Sequence, residues 1–196
     1  MMRLLLVADS HGHGMASVIH RLDSAWMVMT VRVSGQTQEV RDRYIERLPE
    51  VRQFNPEAVI LHVGHNNLSY HSYYNPDPDH VKEFFPSILE FVALLQGNHP
   101  SAIVIYSSVF PRSTGPRLTD GERHSYNKVA SRYGCLTQST CRQNGINFVL
   151  NGALWRSVRQ AKENPTYFLE DGLHLRNSGQ EIVARDWMQA FTTIGL

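Results

Sequence analysis

Arg3–Gly14, RLLLVADSHGHG, decides the fold. Five apolar residues, Leu4 to Ala8, run without a polar break and stop at Asp9-Ser10. A continuous apolar run bounded by turn residues marks a strand buried on both faces, the kind that parallel sheets use. His11, Gly12, His13 and Gly14 follow, and a helix is predicted from Met15 to Leu22. A buried strand thus delivers a polar cluster into a tight turn at its carboxyl end. In open α/β sheets, sites form in that crevice.

The same pattern repeats outward. Apolar runs at Trp26–Val33, Ala58–Val63, Ala102–Tyr106 and Ile146–Leu150 predict four more strands. Amphipathic stretches separate them, at about Gln38–Leu48, Val81–Gln96 and Thr119–Asn144, so the expected class is α/β with helices covering a parallel sheet. A last helix opens near Ser178, which with Glu181 has the spacing of a capping box; Ile182, Val183, Trp187, Met188 and Phe191 share one face. Leu68–His80 has no period and several prolines, and reads as a loop. No repeat or linker interrupts the chain, and residues 1–196 are expected to form one domain.

Composition narrows the function. Of 196 residues, 42% are apolar and 19% charged, which suits a globular protein. A formal charge of +1 argues against a dedicated nucleic-acid surface on this domain. The basic residues of Arg41–Arg52 alternate with Glu46, Glu50 and Asp42, as on a solvated helix face. Cys135 and Cys141 read as free thiols, too few for a disulfide framework or zinc site. The amino-terminal apolar run is too short for a signal peptide, and no window approaches the roughly 20 apolar residues of a membrane span. A soluble, cytoplasmic protein is the expectation, with self-association left open.

Four polar clusters are expected just after strands, whose ends converge on one edge of a doubly wound sheet: Asp9-Ser10-His11, Gly35, Gly64-His65-Asn66-Asn67 and Asp171-Gly172-Leu173-His174. Ester hydrolysis by a serine needs a hydroxyl, a histidine to take its proton, a carboxylate to orient that histidine, and donors for the oxyanion. Ser10 supplies the hydroxyl, His174 the base and Asp171 the orienting carboxylate. The Ser10 and Gly35 amides and the Asn66 side chain are the candidate oxyanion donors. His11, His65, Tyr70 and Tyr73 are candidate substrate contacts. No metal or cofactor is required by this chemistry. Taken singly, each residue also has a plain reading: Ser10 caps a helix, Gly35 and Asn66 make turns, and His174 sits at the surface.

In register, the four clusters resemble the SGNH (GDSL-type) hydrolase superfamily. Ala8-Asp9-Ser10 matches its Gly-Asp-Ser block, Gly35 its second block, Gly64-His65-Asn66 its Gly-x-Asn block and Asp171–His174 its Asp-x-x-His block. The resemblance implies a flavodoxin-like three-layer fold with five parallel strands in the order 2-1-3-4-5, and a serine esterase acting on a small ester or acylated substrate. Ala8, His11 and Asn67 stand where the family commonly has Gly, Leu and Asp; the last removes a structural carboxylate beside the site. More narrowly, LLLVADSHGHGM resembles the esterase domain in first-reading-frame proteins of LINE-type retrotransposons, which implies a short-chain, acetyl-type esterase.

Two other classes compete. Asp9-x-His11 has the spacing of a two-metal phosphoesterase, and Gly97-Asn98-His99 echoes such an enzyme, but the remaining carboxylate and histidine ligands are not placed after strands. A non-catalytic binding module on the same fold is the third reading.

Overall fold

The sheet is built around β1 (Met2–Ala8), with β2 (Trp26–Arg32) on one side and β3 (Ala58–His62), β4 (Ile103–Ser107) and β5 (Asn147–Val149) on the other. All four pairings are parallel and the order is 2-1-3-4-5, as expected. A computed structural model describes residues 1–68, 81–113, 119–160 and 166–196, without the side chains of 81–84 and 160. Most of the predicted loop, residues 69–80, lies outside the described residues.

The strand period of two divides the apolar runs between two cores. Leu5 and Val7 of β1, Val59 and Leu61 of β3, and Val104 and Tyr106 of β4 face one side. There they meet α2 (Thr37–Glu46), α3 (Leu48–Phe54), α4 (Val81–Asn98) and α5 (Asp120–Gln143). Leu4, Leu6 and Ala8, with Ile60 and Ile105, face the other. That side is covered by α1 (Met15–Leu22), α6 (Gly152–Gln160) and α7 (Asn177–Ile194). Each fully buried Val, Leu or Ile contributes about 1.5–3 kcal/mol of transfer free energy, so neither face can be left to water. No helix among the described residues is long and apolar enough to cross a membrane.

Two helix starts correct the sequence reading. Ser178 and Glu181 do not form a capping box. Arg176 is the N-cap residue of α7, the Ser178 hydroxyl donates to the Thr166 carbonyl, and Glu181 reaches Arg21 at 3.6 Å. A true box opens α5. The Glu122 amide donates to Thr119 Oγ1 at 3.2 Å, and the Thr119 amide donates to the Glu122 carboxylate at 2.8 Å. Cys135 is exposed and Cys141 buried, both free on α5.

After β1 the chain makes a single 3-10 turn, Ser10–Gly12, in which the Asp9 side chain caps the His11 amide. The turn folds back over the strand end so tightly that a Cβ on Gly12 would lie 2.4 Å from the Ala8 Cβ. Gly12 therefore makes the room that lets alanine stand at position 8. Gly14, at φ +78°, then turns the chain into α1.

Gly12→Ala should destabilise the fold by about 1–3 kcal/mol through overpacking, and Ala8→Gly should recover most of that loss in the double variant. Denaturant unfolding of the four forms checks the coupling; additive effects would show that the two methyl groups do not compete.

Candidate active site

Three strand ends and one loop meet at the carboxyl edge of the sheet. Ser10 comes from the turn after β1, Gly35 from the loop after β2, Asn66 from the helical turn at 65–68 after β3, and Asp171 and His174 from the loop before α7. That last loop is held from several sides. Phe168 and Leu175 form an antiparallel bridge, the Leu169 amide donates to the His174 carbonyl at 2.8 Å, and the Ser113 amide donates to the Gly172 carbonyl at 3.0 Å. Gly172, at φ +68°, permits the turn between them.

His174 Nε2 lies 3.4 Å from Ser10 Oγ, and its Nδ1 lies 2.6 Å from Asp171 Oδ2. Asp171 Oδ1 accepts the amides of Leu173 and His174 at 2.9 and 3.0 Å. Burial pulls the Asp171 carboxyl upward, but the hydrogen bonds from the His174 ring and from the two amides outweigh it and hold the group below its ordinary value. It is therefore an acceptor at neutral pH, which places the imidazole proton on Nδ1 and leaves Nε2 facing the hydroxyl. In this order a proton can pass from Ser10 to His174 while Asp171 steadies the resulting charge.

The other two clusters are tied to each other. The Asn66 side-chain amide donates to the Gly35 carbonyl at 2.6 Å. An amide has two hydrogens, so one remains for another acceptor. Gly35 is required by space: a Cβ there would lie 2.8 Å from the Glu39 Cβ on α2. Asn67 resolves the departure noted in the sequence. Its side-chain oxygen accepts both the amide and the hydroxyl of Thr37, at 3.0 and 2.9 Å, so a neutral amide performs the anchoring expected of a carboxylate.

Asp9 does not face substrate. Its carboxylate is 1% exposed and takes the His11 amide at 3.0 Å, the His11 ring at 3.1 Å and the His65 ring at 3.2 Å. Burial raises this carboxyl, and the two histidines overcome that effect and hold it well below its ordinary value. The His11 ring stacks on His65 with centroids 3.9 Å apart, and its other side stands 5.1 Å from the His174 ring. Of the candidate substrate contacts, His11 is 5% exposed and still lines the cleft beside Ser10, while His65 is 1% exposed and drawn inward by the carboxylate. Tyr70 and Tyr73 lie outside the described residues.

Asp9, His11 and His65 bring potential metal-ligand atoms within 4.8 Å of one another. The donor set does not fit a metal as arranged. His65 Nε2 accepts the Phe110 amide at 2.8 Å, which puts its proton on Nδ1, toward Asp9. A metal on Nδ1 would displace that proton and turn an N–H against the Phe110 N–H.

Below this layer lies a polar network that no motif announces. The Ser107 hydroxyl oxygen accepts Trp187 Nε1–H at 2.9 Å and Asn151 Nδ2–H at 3.0 Å, leaving its own hydrogen for His62 Nδ1, 3.0 Å away. These residues lie far apart in the sequence, and only the tertiary fold brings them together.

A family model for GDSL-like lipases and acylhydrolases matches residues 9–182. The chain belongs to that family. Among solved structures, a GDSL-like lipase from Bacteroides thetaiotaomicron is similar over 98% of this chain and 88% of its own, with 21% identity and a TM-score of 0.66. A catalytic mutant of an acetylxylan esterase from Geobacillus stearothermophilus aligns over 96% and 93%, with 16% identity and a TM-score of 0.66. An α/β hydrolase from the metagenome of Lake Arreo aligns over 100% and 97%, with 14% identity and a TM-score of 0.69. No match to a curated protein sequence was found. At these identities the solved structures speak for the fold, and the family match makes the chain a GDSL-like hydrolase.

Burial holds His62 neutral, with the nearby His11 adding to the effect and Asp9 opposing it, and its pKa falls to about 4. The unfolded chain binds this proton near pH 6.5, so stability is present above that pH and is lost as pH falls toward 4. His65, lowered by burial as well, has the same sign. His62→Gln should remove about 3 kcal/mol of this acid sensitivity between pH 6.5 and 4, read from unfolding free energies at both pH values. An unchanged pH dependence would refute the assignment.

Proposed function

We propose that the protein is a serine carboxylic-ester hydrolase acting on short-chain, acetyl-type esters. The observation that carries this reading is the unbroken line from Ser10 Oγ through His174 to Asp171, at 3.4 and 2.6 Å. Ser10 attacks the acyl carbonyl as His174 takes its proton. The tetrahedral oxyanion is met by the Ser10 and Gly35 amides and by the free hydrogen of the Asn66 side chain. His174 then protonates the departing alcohol, leaving an acyl group on Ser10. A water activated by His174 hydrolyses that ester and restores the hydroxyl. Asp171 keeps the His174 tautomer throughout.

Small substrates are favoured by the cleft beside Ser10, whose volume of about 220 Å³ is below the range usual for drug-sized ligands. An acetylxylan esterase among the similar structures agrees with short acyl groups. The likeness of Leu4–Met15 to retrotransposon esterase domains supports the same chemistry within a retrotransposon-encoded protein. We read residues 1–196 as one catalytic domain.

Hydrolysis of p-nitrophenyl acetate in excess EDTA tests the assignment. Wild-type protein should turn over under chelation, Ser10→Ala should show no acyl-enzyme burst, and Asn66→Ala should lose about 10²–10³ in kcat. Activity abolished by EDTA, or kept by Ser10→Ala, would overturn the serine mechanism.

A further inference from the structure

The cleft that holds Ser10 and His174 is also walled by Leu169, Leu175, Gln180 and Arg32. Arg32 ends β2, level with Ala8 of β1. Its neighbour Val31 turns into the core under α2–α5, so the strand alternation sends Arg32 to the opposite face, where α1 and α7 lie. That is the side on which Ala8 and Leu175 pack. The guanidinium is exposed, and among the described residues no carboxylate lies within ion-pair distance of it. None of the residues lining the cleft is acidic. Asp171 makes no ion pair with Arg32; its oxygens accept from His174 and from two amides.

Arg43, Arg47 and Arg123 each meet a carboxylate three residues away on the same stretch of chain. Arg32 has no such partner among the described residues, and it lines the cleft that holds the hydroxyl proposed to attack the ester. Gln180 adds a second unsatisfied group. Its Nε2 donates to the His13 and Leu175 carbonyls at 2.9 and 3.1 Å, while its Oε1 is buried without a partner. A wall with an unpaired planar cation and no carboxylate suits a ligand that brings anionic oxygens.

We propose that Arg32 selects esters that carry an anionic group, held by charge-assisted hydrogen bonds while Ser10 attacks. The inference rests on the serine-esterase reading and names its substrate class. An acylated hydroxy acid or acidic sugar has the required chemistry, whereas a neutral alkyl ester leaves the guanidinium unanswered. The charge can sit on the alcohol side or on the acyl side of the ester, and the two sources are separable.

The test compares kcat/KM for two matched pairs. One pair is 4-acetoxybenzoate with its methyl ester, charged on the alcohol side. The other is the p-nitrophenyl monoester of succinate with its methylated counterpart, charged on the acyl side. In one pair the anionic-to-neutral ratio should fall about tenfold in Arg32→Gln and further in Arg32→Glu, while Arg32→Lys keeps most of it. Added salt should lower that ratio in the wild type and not in Arg32→Gln, a response that lost packing would not give. Ratios unchanged in Arg32→Gln for both pairs, with Ser10-dependent turnover intact, would overturn the proposal alone. Absence of Ser10-dependent turnover of all four esters would overturn the esterase reading and the proposal with it.

Discussion

A carboxylate buried to 1% exposure must be answered by donors, and Asp9 is answered entirely by the elements that build the site. The His11 amide fixes the turn that presents Ser10, and the His65 ring fixes the turn that presents Asn66. Phe110, after β4, completes the chain by donating its amide to His65. One charge thus joins the carboxyl ends of β1, β3 and β4. Removing one partner from such a buried pair typically costs about 3–5 kcal/mol, because the remaining charge is stranded. The stacking of His65, His11 and His174 extends the same support to the loop before α7.

This arrangement explains why two substitutions relative to the common family pattern leave the geometry whole. Ala8 is accommodated because Gly12 offers no side chain to collide with it. Asn67 replaces a carboxylate yet still accepts two hydrogen bonds from Thr37, so the start of α2 stays anchored beside Gly35. His11 in the place of leucine is the larger change. It converts an apolar contact into a second hydrogen-bonded pair with Asp9, and brings a ring against the one that addresses Ser10.

Much of the fold was legible because its signals are local. The unbroken apolar runs of β1 and β3 can only be buried on both faces, and α1 begins and ends where its sequence pattern does. Ser10, Asp171 and His174 could be grouped from sequence because a serine mechanism needs those residue types, and their side chains lie within hydrogen-bonding range of one another. The failures have tertiary causes. Ser178 and Glu181 have capping spacing but find better partners in Thr166 and Arg21, whereas Thr119 and Glu122, with identical spacing, bond to each other and form the box. The inward turn of His65 depends on a carboxylate 56 positions away, and the Ser107–Asn151–Trp187 network depends on contacts that no period encodes. The free charge of Arg32 is likewise invisible in a chain with a net charge of only +1.

The central claim is that Ser10 is a nucleophile driven by His174. Covalent labelling with diethyl p-nitrophenyl phosphate, mapped by peptide mass spectrometry, tests it most directly. The account predicts one diethylphosphoryl adduct, on Ser10, formed quickly in the native protein and suppressed in His174→Ala. An adduct on another residue, or labelling of Ser10 that is indifferent to His174, would contradict it.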